Sequence, residues 1–316
     1  LPNAEVVYEW RSNEADIKHS QRIEHREGLI LYVERLWEQI DLRNDVQQYQ
    51  EGVYRKDIKT FNEHVVREGL LNAVAHRDYR AEGSVMVKQT PRRLEILSPG
   101  GFPPGVTPDN ICRKQVPRNR RLTEAMARCN LVERSGQGAD LIYRHSITEG
   151  KALPEFSRSD EHQVELLLQC ELRNHAFILF LSRVGELSEF TLDDLLVLER
   201  LGREEQVGDD LKQRLPSLLQ RGVVERVGRG RGVRYLLSRE LYSSMGEAGR
   251  YTRQKGLSRS NQKELLLKHV RDRGPAGVPM AELIQVVPEL GRAQIRRMME
   301  ELRDDGRVHL EGERRG

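Results

Sequence analysis

REGLLNAVAHRDYR, residues 67–80, sets Glu68 and Asn72 four apart in a segment whose apolar residues, Val65, Val66, Leu70, Leu71 and Val74, already recur at helical spacing. Side chains at i and i+4 project from one helix face about a turn apart. A helix is therefore expected from about Asn62 to His76. One face serves a core, and a polar face is added that folding does not require. A carboxylate beside an amide suits a definite chemistry: the carboxylate activates a water and the amide oxygen ligates Mg2+. His76, Arg77 and Asp78 follow directly. They can cap the helix and pair with one another, Asp78 with Arg77 or Arg80, or His76 and Arg77 can reach phosphate groups.

Upstream, VVYEW (Val6 to Trp10) reads as a strand, and EGLILYVERLWEQI as an amphipathic helix with Leu29, Val33, Leu36, Trp37 and Ile40 in register. Downstream, SVMVKQ and RRLEILS alternate and form an expected hairpin through Thr90-Pro91. PGGFPPGVTPDN cannot be helix or central strand and is a long loop. A helix over Leu122 to Asn130 leads into LVERSGQGADLI, where Gly136 and Gly138 open another helix. Two adjacent glycines, Gly100 and Gly101, allow close approach of a flat or phosphorylated ligand. A helix start at Gly136-Gln137-Gly138 offers free N–H groups and a positive dipole end to phosphate.

In this order the segments resemble the GHKL superfamily of ATP-binding domains. REGLLNAVAHRDYRAEGSVMVKQ, LEILSPGGFPPGVT, PRNRRLTEAM and LVERSGQGADLI look like one branch of it, the domain labelled ATP-dependent DNA helicase RecG-related, C-terminal, usually found downstream of a Schlafen/AlbA-type domain. The resemblance covers about residues 1–155. It implies a GHKL-like α/β sandwich that binds ATP with Mg2+, with Glu68 as the water-activating base and Asn72 as the metal ligand. Gly100 and Gly101 would lie by the adenine and Gly136 and Gly138 by the phosphates. Arg118 and Asn119 would end the loop that covers the nucleotide. The superfamily's adenine-reading Asp is Ser98 here, and the Asp three residues after the Asn is Ala75. No G-x4-G-K-[ST] occurs, so the chain is not a P-loop helicase.

The first domain boundary is drawn in KALPEFSRSD, giving residues 1–156 to the ATP-binding domain. VELLLQCEL is read as a strand opening a second domain, 157–245. Helices follow over about 175–185, 191–200 and 208–221, then two β-type runs across an Arg/Gly turn, which is a winged-helix arrangement. Residues 246–316 hold a linker and a second unit of the same kind: a helix at 261–272, PMAELIQVV, GRAQIRRMMEELRDDG and a strand RVHLEG. The fold class is thus α+β, a GHKL-like sandwich followed by two winged-helix units. Arg229, Arg231 and Arg234 make a basic wing suited to phosphate, while Arg292, Gln294, Arg296 and Arg297 face out near the start of a recognition helix.

Net charge is +3, but residues 221–316 hold 21 Lys+Arg against 13 Asp+Glu, a balance of +8 that leaves −5 for the rest. An acidic front and basic back point to nucleic acid as the partner of the C-terminal half, DNA first, with protein docking or RNA as alternatives. No apolar run is long enough to span a membrane. No signal segment opens the chain, and Cys112, Cys129 and Cys170 lack metal spacing, so reduced thiols in a cytoplasmic protein are expected. The chain starts at Leu1, leaving room for an upstream domain. The expected function is a nucleotide-responsive DNA-binding transcriptional regulator, with a homodimer open. The alternatives are a slow Mg2+-dependent ATPase acting on DNA or a partner, and a scaffold with an inactive pocket.

Overall fold

The computed structural model describes residues 5–16, 18–51, 54–114, 116–132, 138–172, 190–227, 233–239, 242, 259–274, 277–287 and 290–309. The chain divides into two units, Leu1–Leu218 and Leu219–Gly316. The first runs β1 (Val6–Trp10), β2 (Gln21–His25), α1 (Leu29–Asp41), β3 (Val46–Glu51), β4 (Tyr54–Lys59), α2 (Glu63–His76), β5 (Val85–Thr90) and β6 (Arg93–Pro99). It continues through α3 (Arg120–Arg128), α4 (Gly138–Thr148), β7 (Gln163–Gln169) and α5 (Leu192–Gly202), and α6 (Leu215–Gln220) crosses the division.

Five strands form one mixed sheet in the order β2-β1-β5-β6-β7. β1 runs parallel to β5, with Tyr8 opposite Val87, and the other pairs are antiparallel. Strand alternation sends Val6, Tyr8, Val85, Val87, Leu94, Ile96, Leu166 and Leu168 to one face, where they join a single core with residues of α1, α2 and α4. This is a two-layer α+β sandwich. β2, β3 and β4 escape the periodicity reading because QRIEH, VQQYQE and YRKDIK carry few apolar residues. β2 sits at the sheet edge, and β3–β4 form a separate antiparallel pair. That pair is fastened to the end of β7 by Gln47, whose Nε2 donates to Cys170 O at 2.8 Å and whose Oε1 accepts from Leu172 N at 3.0 Å.

α2 begins where Asn62 Oδ1 accepts from Val65 N at 3.2 Å. Its apolar face settles on the sheet through Gly69, where a Cβ would lie 3.0 Å from both Ile96 Cδ1 and Leu166 Cδ2. The small residue lets the helix axis come close and leaves Glu68 and Asn72 on its flank.

VELLLQ does not open a second domain. As β7 it pairs with β6 along its length, Ile96 opposite Leu166, so the sheet of the first unit extends past the boundary drawn at residue 156. KALPEFSRSD is likewise part of the fold. Glu155 pairs with Leu167 beyond β7, Ala152 is buried, and Phe156 packs on the core and edge-on to Phe102 at 5.8 Å.

In the second unit β8 (Val224–Val227) and β9 (Arg234–Leu237) form an antiparallel pair. The Arg/Gly tip with Arg229 and Arg231 lies outside the described residues, as does the helix expected over 175–185. α7 (Arg259–Arg273), α8 (Met280–Val286) and α9 (Arg292–Asp304) pack around Leu266, Leu283, Ile295, Met298, Met299 and Leu302. Of the strand expected over RVHLEG, residues 307–309 are described and are not strand. Val308 buries its side chain among the three helices instead of pairing. The described residues therefore give a three-helix unit and a β pair there, and the two winged-helix units remain an expectation.

The end of α1 is joined to the start of α2 by Asn44. Its Oδ1 accepts from Phe61 N at 2.7 Å and its Nδ2 donates to Phe61 O at 2.9 Å and Asp41 Oδ1 at 2.8 Å, while the Phe61 ring is fully buried. Asn44→Ala leaves a buried backbone pair unsatisfied and should destabilise the first unit by about 1–3 kcal/mol, measured by urea denaturation.

Candidate functional site

A large cavity of about 1680 Å3 opens beside α2. Glu68, Asn72 and His76 line it from α2, Ser98, Gly100 and Gly101 from the end of β6, and Gly138, Asp140 and Arg144 from α4. Phe102, Val106, Ile111 and Lys114 wall it from the loop that follows β6. Three segments picked out by motif therefore face one space, although 26 to 66 residues separate them in the chain.

At the α4 end, Asn72 Nδ2 donates to Glu68 Oε1 at 2.8 Å. A Cβ on Gly138 would fall on the Glu68 carboxylate, 2.6 Å from Cδ, so no larger residue fits there without moving that side chain. Gly136 lies outside the described residues.

At the β6 end the glycines prove to serve protein contacts. Gly100 has φ +92°, and a Cβ there would meet Arg118 Nη1 at 2.5 Å and Asp78 Cβ at 2.7 Å. A Cβ on Gly101 would lie 2.5 Å from Asp160 O. Their N–H groups donate to His162 O at 2.6 Å and Glu161 O at 3.1 Å, continuing the β6–β7 pairing into the turn. Close approach is needed, as expected, but by backbone and by the Asp78–Arg118 pair, while both glycines still line the cavity. Ser98, buried at the position of the missing Asp, donates its hydroxyl to Ala73 O at 2.7 Å. Its oxygen lone pairs are what it can offer a ligand.

Three of the candidates do not line the cavity. Arg118 Nη2 donates to Gly101 O, and its Nη1 lies 3.5 Å from Asp78 Oδ2. Asn119 Nδ2 donates to Ala75 O at 2.9 Å and Arg77 O at 2.7 Å, capping the C-terminus of α2. Both pin the end of the covering loop. Arg77, 1% exposed, donates to the carbonyls of Asp78, Ala81 and Gly83 and lies 5.1 Å from the Tyr79 ring centroid. It organises the turn after α2 through its Nη donors and does not line the cavity. Asp78 pairs with Arg80 as well as Arg118, and these neighbours hold its carboxyl below the usual range. His76 faces the cavity, and burial with the nearby Arg118 charge lowers its pKa, favouring the neutral ring.

Groups without a motif also line the cavity. Lys114 Nζ donates to Gly105 O at 2.7 Å, Arg144 Nη1 donates to Phe190 O at 3.0 Å, and exposed Arg128 ends α3. Asp140 has one buried oxygen with no partner among the described residues, and burial raises its pKa. The Cys112 thiol, half-buried beside it, is pushed up to about 12 by desolvation and by the Asp140 charge. Arg113 ties the loop to Asp193 and Asp210, 3.3 Å from each. Only contact across the fold singles these residues out, since each stands alone in sequence.

In the second unit, exposed Arg292, Arg296 and Arg297 lie on α9, whose Ile295, Met298 and Met299 face the core. Arg296 is 3.4 Å from Glu300 and Arg297 3.8 Å from Glu301. Gln294 is already engaged: its Oε1 accepts from Gly291 N at 3.0 Å and closes the start of α9. Two-pronged base reading would need that oxygen freed. Arg234 is exposed on β9.

Residues 82–168 match the family described as "Putative ATP-dependent DNA helicase recG C-terminal". The match runs from before β5 through most of β7, and α2 with Glu68 and Asn72 precedes it. The chain thus carries an ATPase-like domain of the RecG C-terminal type. No curated protein sequence matches. Among solved structures, the fold is similar to that of the DIP2311 protein from Corynebacterium diphtheriae, with a TM-score of 0.66 and 20% identity over 78% of this chain. This chain spans 53% of that protein. Among the described residues no helix is long and apolar enough to cross a membrane.

Gly100→Ala imposes a strained φ and a clash with Asp78 and Arg118 together. It should lower stability by about 1–3 kcal/mol in urea denaturation.

Proposed function

We propose that the first unit binds a nucleoside triphosphate, ATP first, with Mg2+, and that the protein is a cytoplasmic, nucleotide-responsive DNA-binding regulator. The observation that carries this reading is the meeting of Glu68, Asn72, the Gly100-Gly101 turn and Gly138 around one cavity. At about 1680 Å3 it exceeds the roughly 300–1,000 Å3 of common ligand pockets and has room for a nucleotide. The donor set fits Mg2+ that arrives with phosphates. Such an ion keeps several waters and takes one or two protein oxygens. Asn72 gives its Nδ2 to Glu68, which turns Oδ1 away as a remaining acceptor. No group of three or more His, Cys, Asp or Glu suited to a metal cage occurs among the described residues.

The responsive part rests on the loop after β6. It walls the cavity, and Arg113 links it to Asp193 in the first turn of α5. A ligand that prefers one loop arrangement would shift the population of that contact. DNA binding rests on the +8 balance of residues 221–316 and the exposed arginines of α9. Operator recognition by such units usually joins two copies.

Calorimetry tests the first claim: Mg2+-dependent ATP binding should appear in this protein and weaken about tenfold or more in Asn72→Ala. Absence of saturable nucleotide binding would refute it. For the second, replacing Arg296 and Arg297 together by Ala should weaken duplex DNA binding and reduce the salt slope by about two. An unchanged slope would remove α9 from the interface.

A further inference from the structure

We propose that α3 presents a docking face for the phosphate backbone of duplex DNA at the rim of the cavity. The inference goes beyond the DNA reading above, which rests on the second unit, and it stands or falls separately. Residues 113–128 hold six Lys and Arg against Glu124 alone, a balance of +5 within residues 1–220, which as a whole carry −5. Leu122 and Met126 turn one side of α3 to the core. Arg120, Arg121, Glu124, Ala125 and Arg128 are left exposed.

Pairing sets this face apart. Exposed arginines elsewhere in the first unit meet carboxylates: Arg22 with Glu9, Arg26 with Glu5, Arg35 with Glu27 and Arg92 with Glu171. On α3 the one carboxylate, Glu124, is taken up by Arg120 at 3.0 Å. Arg121 and Arg128 have no carboxylate partner among the described residues. Lys114, exposed on the covering loop, gives its Nζ to Gly105 O and lines the cavity together with Arg128. Like charges gathered on one face without counter-charge are unfavourable in the free protein and are relieved when a polyanion arrives.

The spacing fits a nucleic-acid backbone. Positions 121, 125 and 128 share one helix face, with Arg121 and Arg128 about 10 Å apart along the axis. That is about three base-pair steps of a strand at roughly 3.4 Å each. Ala125, between them, carries no bulk that would hold a strand off. The planar guanidinium fork matches phosphate oxygens. No aromatic residue lies in α3, so bases have nothing there to stack on, and the contact is with backbone and indifferent to sequence. Because Lys114 and Arg128 line the cavity, DNA held on this face would lie beside the loop that covers it.

Fluorescence anisotropy of a labelled duplex of arbitrary sequence, titrated with the full chain at several salt concentrations, tests the face. Arg121→Ala combined with Arg128→Ala should weaken binding about tenfold and lower the salt slope by about two. Ala125→Glu, which keeps both arginines and sets a negative charge between them, should weaken binding as well. Arg26→Ala combined with Arg35→Ala removes the same charge from beside β2 and from α1, and should leave the slope unchanged. An unchanged slope in the α3 pair, or an equal fall in that control, would overturn the proposal. So would a polyglutamate chain that binds the parent more tightly than DNA does and is lost in the same variants, which would assign the face to an acidic protein. The Arg296 and Arg297 double variant, run in parallel, separates this face from the α9 reading. A fall in slope for the α3 pair alone upholds the face and removes α9, the reverse removes the face, and absence of DNA binding in the parent overturns both.

Discussion

The close approach of α2 to β6 and β7 at Gly69 is the contact from which the site geometry follows. A Cβ at 69 would lie 3.0 Å from both Ile96 Cδ1 and Leu166 Cδ2, so a larger residue would need those side-chain ends to give way. With glycine there, Val66, Leu70 and Val74 reach the sheet core, and Glu68 and Asn72 are held at a set height beside it. α4 packs against the same helix, which brings Gly138 to the Glu68 carboxylate. One packing distance thus orders both the hydrophobic layer and the polar flank. The helix cap at Asn62 and the Asn44–Phe61 pair fix where α2 begins, and Asn119 fixes where it ends.

The end of β6 illustrates how a loop is held without regular structure. Arg118 bridges Gly101 O and Asp78, Asp78 N donates to Pro99 O at 2.8 Å, and the glycine N–H groups complete the β7 pairing. Both ends of the covering segment are therefore tied to α2 and to the sheet. Its middle is held by short turns and by the exposed Arg113 pairs, which are worth little individually. A segment with firm ends and a weakly held middle suits a wall that adjusts to what it covers.

Arg77 shows a different balance. A buried guanidinium is costly unless its hydrogen bonds are met, and here three carbonyls of one turn and an aromatic face meet most of them. Its Nε has no partner among the described residues. The residue that looks most suited to phosphate by type is thus used for structure. The exposed cations Lys114 and Arg128, which no motif marks, stand on the cavity wall.

Local pattern made much of this legible. The 3.6-residue period of α1 and α2, the alternation of β5 and β6, the i, i+4 placement of Glu68 and Asn72, and the inward Ile295, Met298 and Met299 of α9 all follow from short-range spacing. β2 to β4 were not legible, because edge and isolated strands bury too little apolar surface to print a period. Nor was the sheet membership of β7, since an apolar strand does not say which neighbour it pairs with. The partners of Gly100 and Gly101, the inward turn of Arg77 and the capping by Asn119 depend on distances between segments far apart in the chain. Those distances are set when α2 and α4 pack on the sheet. A residue's type and spacing fix what it can do, and packing against remote segments fixes which atoms it meets.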